Sequence, residues 1–175
     1  TGNTRYVANM IKNITDCHIH EVFPETPYPA DYDTTVAQAR KEIDKGYQPP
    51  LKSKIKNWDN YDTIILGSPN WWYTIASPIA TFLASHDFSG KTIAPFITHE
   101  GSRMGRSEAD IRKLCPKANI LKGLAIRGGE VKNSRKDVEK WLTEIGIPEK
   151  TSNAANTARG ELKNFQFGDT NLTII

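Results

Sequence analysis

"TGNTRYVANMI", residues 1–11, predicts a phosphate-binding turn that runs directly into a helix. Gly2 lets the backbone turn tightly against a ligand, and Thr1, Asn3 and Thr4 offer hydroxyl and amide groups for hydrogen bonds. The free N–H groups at the start of a helix point at the same spot, where the helix dipole favours an anion. The turn has no lysine and matches neither a nucleoside-triphosphate loop nor a dinucleotide turn, so we expect phosphate to be held rather than transferred. The alternative is an ordinary helix cap beside a glycine.

Strand-like and helix-like segments alternate along the rest of the chain. The first helix continues from Thr4 to about Ile14, where apolar residues recur at helical spacing. Further helices are predicted at 34–45, 78–85, 107–115 and 134–147, the last two capped by Ser107 and Ser134, with strands at 17–22, 61–69, 91–99 and 118–126. This alternation predicts an α/β fold with a parallel sheet covered by helices on both faces.

The loop after the strand at 61–69 carries three adjacent aromatic residues. Ligands of parallel sheets bind beyond the carboxyl ends of the strands, which is where Trp71, Trp72 and Tyr73 lie. Three neighbouring bulky rings cannot all face one interior, so we expect at least one to stack on a flat ligand. Pro69 stiffens the turn, and Asn70 offers an amide to the edge of a ring. The alternative is that these aromatics only cover the end of the sheet.

The loop after the strand at 91–99 supplies the opposite side of the same site. Thr98, His99, Glu100 and Gly101 follow the apolar strand directly, and Gly101 allows a ligand to approach the backbone closely. His99 beside Glu100 also allows an acid–base role, but Ser102 lacks the setting of a nucleophile. We therefore expect His99 to contact a ligand and predict no catalytic residue.

Composition narrows the classes of protein. The chain has 175 residues, 38% of them hydrophobic, which suits one globular domain. A net charge of +3 is too mild to indicate a nucleic-acid binder, and no run of residues has the length of a membrane span. Cys17 and Cys115 show no metal-binding spacing, so we predict no metal site and two buried thiols in a reducing, cytoplasmic compartment.

The three loops together resemble the flavodoxin family, through "TGNT", "GSPNWW" and "THEGSRMGRS" in that order over about residues 1–147. The resemblance implies a doubly wound five-stranded parallel sheet of strand order 2-1-3-4-5. It also implies non-covalent FMN, with its phosphate on the turn at 1–4 and its isoalloxazine ring between the loops at 69–73 and 98–101. The activity implied is electron or hydride transfer through the flavin.

The charge of the chain leaves the redox partner open. The resemblance to flavodoxins that carry electrons implies an acidic protein, whereas this chain has a net charge of +3. The partner is therefore either a redox protein or a small-molecule acceptor, and an NAD(P)H-dependent, quinone-type reductase is the main alternative. A non-redox module that binds another phosphate ligand is the alternative from a different class. A homodimer is compatible with either.

The family's sheet needs a central first strand, which should precede a turn like that at 1–4. The segment "TNLTII" at 170–175 is short, β-branched and apolar, as a buried parallel strand is. We predict that it fills the central position, in the same molecule or exchanged with a neighbour, as in a circular permutation. Residues 148–169 would form the linker, and 1–147 the FMN-binding domain. The alternatives are an upstream strand outside this sequence and a tail that begins another segment.

Overall fold

The structure, a computed structural model, describes residues 2–150 and 172–175. Its helices are α1 (Asn3–Thr15), α2 (Tyr32–Lys45), α3 (Ser77–Ser85), α4 (Ser107–Leu114) and α5 (Arg135–Glu144). Its strands are β1 (His18–Ile19), β2 (Thr63–Trp71), β3 (Thr74–Ile75), β4 (Thr92–His99), β5 (Asn119–Ile120), β6 (Leu124–Arg127) and β7 (Leu172–Ile174). Short 3-10 helices cover Trp58–Asn60 and Gly128–Asn133. Thr1 and the predicted linker from residue 151 onward lie outside the described residues.

The strands form one sheet of order β1-β7-β2-β4-β5, in which these neighbours are all parallel. Strand β6 continues the pairing of β4 beyond β5, and β3 folds back antiparallel on β2. With β7 as the first strand, this is the predicted order 2-1-3-4-5. The α/β fold with a parallel sheet is therefore confirmed.

Strand β7 occupies the centre of the sheet. It pairs with β1 on one side and with β2 on the other, so that Thr173 lies between His18 and Ile64. Thr173 and Ile174 are completely buried, and Gly67 N donates to Ile175 O over 2.6 Å. The predicted central strand is confirmed for Leu172–Ile174, while residues 170 and 171 lie outside the described residues.

Strand β2 runs further than the sequence predicted, because Pro69 does not end it. Pro69 pairs with Thr98 of β4, and the strand continues to Trp71. Gly67 points its N–H toward Ile175, and Pro69 faces the same edge two residues further on. At that level β7 does not pair with β2, so the missing N–H of proline removes no ladder bond.

Two other predicted strands are wrong in extent. The segment 17–22 pairs only at His18–Ile19, and the strand predicted at 118–126 is divided into β5 and β6. The division occurs because the backbone of Gly123 turns toward α4, where its N–H donates to Glu108 Oε1 over 2.8 Å. A Cβ at Gly123 would lie 2.5 Å from the end of the Met104 side chain and 3.2 Å from Pro95 O, so a larger residue would have to displace these neighbours.

Of the two predicted serine caps, the one at Ser107 is wrong. Ser107 is the first residue of α4 rather than its cap, and its buried hydroxyl has no hydrogen-bond partner among the described residues. Ser134 occupies the N-cap position of α5 as predicted, but its hydroxyl donates to Val131 O over 2.9 Å and makes no capping bond. The helix with a side-chain cap is α2, where Asp31 accepts from Thr34 N over 2.8 Å.

Helices cover both faces of the sheet. Val7 and Ile11 of α1 pack with α5 on one face, whereas Phe82 of α3 packs with α4 on the other. Cys17 and Cys115 are buried free thiols that belong to these two different clusters. In the described part of the chain, no helix combines the length and the apolar character that crossing a membrane requires.

Candidate functional site

A cavity of about 800 Å³ opens at the carboxyl end of β2 and β4. Every predicted site residue that the structure describes lines it: Gly2, Asn3, Thr4, Pro69, Asn70, Trp71, Trp72, Tyr73, Thr98, His99, Glu100 and Gly101. The three loops are far apart in sequence, and the parallel strands bring them to one edge of the sheet. Thr1, the remaining predicted residue, lies outside the described residues.

One end of this cavity is suited to an anion. Helix α1 begins at Asn3, has no side-chain cap and carries no acidic residue in its first turn. Its first N–H groups are therefore free of intrahelical acceptors, and the positive end of the helix dipole adds to them. A Cβ built on Gly2 meets nothing within 4 Å, so the cavity is open at this residue, directly before the helix. Thr4 Oγ1 lies 2.7 Å from Thr98 Oγ1, which ties this end of the cavity to β4.

The aromatic loop is a tight hairpin with an unusual backbone. Trp71 pairs with Thr74, so Trp72 and Tyr73 are the two residues of the turn. Both have left-handed φ angles, 49° and 69°, where such hairpins normally use Asn and Gly. Large residues in this region cost on the order of 1–3 kcal/mol each and concentrate at functional sites. The strained turn therefore places two aromatic side chains at the cavity.

The three aromatic side chains have different surroundings. Trp71 is half-buried and meets Tyr28 edge-on, with ring centroids 4.9 Å apart. Trp72 donates from Nε1 to Val36 O over 3.1 Å. Tyr73 is 62% exposed. As expected from the sequence, the three aromatic side chains do not all face the protein interior.

The aromatic loop and the loop after β4 hold each other in place. Asn70 Nδ2 donates to Arg103 O over 2.9 Å, while Asn70 Oδ1 accepts from Tyr73 N over 2.9 Å. Arg106 N donates to Tyr73 O over 2.7 Å. Gly105 has a left-handed φ of 52°, and a Cβ there would collide with Tyr73 O. The cavity therefore has two walls of fixed spacing, as stacking on a planar ligand requires.

His99 is held as a neutral acceptor. Its Nδ1 accepts a hydrogen bond from Gly101 N over 3.0 Å, which requires that nitrogen to be unprotonated. Burial lowers the pKa of His99 below its ordinary 6.5, and the Arg103 charge lowers it further. A proton at Nδ1 would break the bond that shapes the loop, so this contribution to stability is complete above about pH 6.5 and is lost as the pH falls through the lowered pKa.

We expect the Arg103→Gln substitution to raise the pKa of His99 toward its ordinary value, because it removes a neighbouring positive charge. Titration of the histidine ring resonances by NMR measures this shift. His20 is the internal control, since its pKa is lowered by burial and then by His18. A His99 pKa that is unchanged by the substitution would contradict the assigned role of Arg103.

Besides the three predicted loops, helix α2 forms a wall of the cavity that the sequence did not predict. Tyr32, Thr35, Val36 and Ala39 line it, and Ser102 extends the loop after β4. These residues carry no motif, so only the packing of α2 over the aromatic loop reveals them. Gly128 is a further missed position, because a Cβ there would collide with the side chains of Glu100 and Asn3.

No group of three or more His, Cys, Asp or Glu residues within 2–150 and 172–175 could hold a metal ion.

Comparisons with known proteins find one matching family and solved structures that this chain is similar to. The sequence profile of a family described as Flavodoxin matches residues 1–145. A candidate flavoprotein from Bacteroides uniformis is 31% identical, with a TM-score of 0.72 over 82% of this chain and 92% of that one. A candidate flavoprotein from Bacteroides eggerthii is 28% identical, with a TM-score of 0.74 over 84% and 92%. A flavoprotein from Lactobacillus acidophilus, solved in complex with FMN, is 25% identical, with a TM-score of 0.61 over 79% and 89%. No curated protein matches the sequence significantly.

Proposed function

This chain belongs to the flavodoxin family, and on that premise we propose that it binds FMN in the 800 Å³ cavity and transfers electrons or hydride through it. The observation that carries the proposal is the convergence of an uncapped helix start and an aromatic turn on one cavity. Its volume is in the range of small-ligand and cofactor sites. The family, and the solved relative that holds FMN, support this cofactor.

The residues of the cavity fit the parts of FMN. The free N–H groups at the start of α1 suit the phosphate, with the open space at Gly2 admitting it. Trp72 and Tyr73 suit the faces of a planar ring, and the exposed backbone at Gly101 suits its polar edge. FMN supplies the redox chemistry when bound, and the protein's share is to hold and orient the ring and to adjust its potential. Because the pKa of His99 is lowered, Arg103 and Arg127 are the groups beside this loop that would supply positive charge near pH 7.

We expect the Trp72→Ala substitution to weaken FMN binding by ~1–3 kcal/mol, through loss of ring stacking and buried area. Titration of the apoprotein with FMN, followed by the change in flavin fluorescence, measures the dissociation constant. Tyr47→Ala is the control, since Tyr47 is exposed and does not line the cavity. If Trp72→Ala and Trp71→Ala both left the affinity unchanged, the aromatic wall would not contact the ring.

A small-molecule reductase is the second candidate function. It is favoured by the net charge of +3, which lacks the acidic surface expected for steering to basic partners. The cavity is also flanked by strongly exposed rings, Tyr32 at 78% and Tyr73 at 62%, on which a second planar molecule could pack. In this candidate a nicotinamide nucleotide would donate hydride and a quinone would accept it.

Turnover of NAD(P)H with a quinone separates the candidates. The FMN-loaded protein should first be reduced and reoxidised anaerobically while its visible spectrum is followed. Reversible reduction with negligible NAD(P)H–quinone turnover supports a carrier that needs a protein partner, whereas rapid turnover of the protein alone supports the reductase. A protein that binds FMN but is not reduced by either route would contradict a redox role.

A further inference from the structure

Helix α2 forms a wall of the cavity, yet it is anchored by little apolar surface. Among the residues of α2, only Ala39 and Glu42 are buried. Val36 and Ile43 are only half-buried, so the apolar surface that α2 buries provides a small part of the hydrophobic stabilisation that normally fixes a helix. The position of the wall must therefore depend on specific polar contacts, and Glu42 is the residue placed to make them.

Glu42 makes a buried connection to the loop before α2. Its side chain accepts a hydrogen bond from the Tyr28 hydroxyl over 2.6 Å at Oε2 and another from Gln38 Nε2 over 2.9 Å at Oε1. Glu42 is 7% exposed and forms no salt bridge within the described residues. A buried carboxylate without a cation depends on such donors, so loss of one is costly. Burial and the Glu42 charge raise the pKa of Tyr28, which therefore remains a protonated donor.

Tyr28 also supports the opposite wall. Its ring meets that of Trp71 edge-on at 88°, with the centroids 4.9 Å apart. Trp71 lines the cavity, whereas Tyr28 is not among the lining residues. A partly buried chain of contacts thus runs from α2 through Glu42 and the half-buried Tyr28 to the aromatic loop. The exposed link between these walls is the Trp72 bond to Val36 O, together with Arg40 4.8 Å from the Trp72 ring centroid.

We propose that Tyr28 and Glu42 are positioning residues, which set the spacing between α2 and the aromatic loop and thereby the affinity for the flavin ring. The inference rests on the proposed function, because it takes the aromatic loop, with Trp72 and Tyr73, as the contact surface of the ring. Neither side chain needs to touch the ligand. The hydrogen bonds and the ring contact of these two side chains go to α2 and to Trp71, and none goes to the turn at residues 2–4. We therefore expect their effect on the binding of the ring and not on that of the phosphate.

The test is the affinity of Tyr28→Phe for FMN and for riboflavin, which lacks the phosphate. We expect the dissociation constants of both ligands to rise together by roughly 5–20-fold, because the substitution removes one hydrogen bond to a buried charged group. Their ratio should stay at the wild-type value. Tyr47→Phe is the matched control, because Tyr47 follows the same helix and its hydroxyl has no hydrogen-bond partner in the described structure.

Glu42→Gln is the second variant, and it decides the question if Tyr28→Phe does not fold. An amide keeps the shape but makes a weaker bond with Tyr28, so both dissociation constants should rise by roughly 2–4-fold. The visible circular dichroism of the bound flavin should change in either variant, because the ring environment shifts, whereas a general loss of stability would leave that spectrum unaltered. Unchanged affinity for both ligands, or a loss confined to FMN, would overturn the inference. If the wild-type protein bound neither FMN nor riboflavin, that result would contradict the proposed function itself and not only the roles of Tyr28 and Glu42.

Discussion

Removal of residues 172–175 is expected to abolish both the cooperative unfolding transition and flavin binding. Strand β7 lies between β1 and β2, and its loss would leave both inner edges without partners. Buried backbone groups without hydrogen bonds are costly, and open edges promote aggregation. The loss of Ile174 and Ile175, which are 0% and 7% exposed, adds to this cost. The sum is comparable with the whole stability of a typical domain, about 5–15 kcal/mol. Thermal unfolding followed by circular dichroism, with FMN titration of the same sample, measures the effect.

A graded series at Ile174 distinguishes a specific core role from damage by truncation. Ile174→Val should lower the free energy of unfolding by about 0.5–1.5 kcal/mol and Ile174→Ala by about 2–5 kcal/mol. Both variants should keep the wild-type fold and bind FMN at temperatures where they are folded. A truncated protein that unfolds cooperatively and binds FMN with unchanged affinity would show that β7 is not the central strand.

The Gly2→Val substitution should weaken FMN binding far more than riboflavin binding. Gly2 has φ −79° and ψ 162°, which valine can adopt, so the backbone need not move. The added side chain would instead occupy open space at the cavity-lining Gly2, next to the start of α1, where we propose that the phosphate binds. Loss of two or more charge-assisted hydrogen bonds to phosphate corresponds to roughly a 100-fold or greater rise in the dissociation constant of FMN. Parallel titrations with FMN and riboflavin give the comparison.

Gly129→Val is the control for this substitution. A Cβ at Gly129 also meets nothing within 4 Å, but the residue does not line the cavity. Its FMN affinity should equal that of the wild type. Equal losses of FMN and riboflavin affinity in Gly2→Val would show that the turn at 1–4 acts on something other than the phosphate.

The order of elements and the loops of the site were predictable because each depends on local chemistry. The spacing of apolar residues predicts the helices and strands. The apolar, β-branched composition of the segment at 172–174 indicates a buried strand, and this signal does not depend on the position of the segment in the chain. Parallel topology then places the carboxyl ends of neighbouring strands together, which is why loops as distant as those at Gly2 and Gly101 meet at one cavity.

The parts that were not predictable depend on tertiary contacts. Pro69 would end most strands, and it is tolerated here only because its edge of β2 lacks a partner at that level. The division of the strand at 118–126 follows from the bond between Gly123 and Glu108. The α2 wall and the Tyr28–Glu42 contact join residues whose sequence context is that of an ordinary amphipathic helix and its preceding loop.

The wrong cap at Ser107 has a similar origin. Ser107 has the residue type and position of a cap, but the preceding backbone is held by the bond from Arg106 N to Tyr73 O. The helix therefore begins at Ser107 itself, and the serine side chain is turned into the protein. The prediction of an N-cap from residue type thus fails next to the strained aromatic turn. Such failures are expected where the geometry of a functional site determines the backbone conformation.

The most direct test of the account is the equilibrium binding of FMN to the wild-type protein, freed of any cofactor retained in purification. We expect saturable binding of one FMN per chain, a flavin spectrum in the bound state and weaker binding of riboflavin under the same conditions. A colourless protein that does not take up FMN, or that binds FMN and riboflavin with equal affinity, would contradict it.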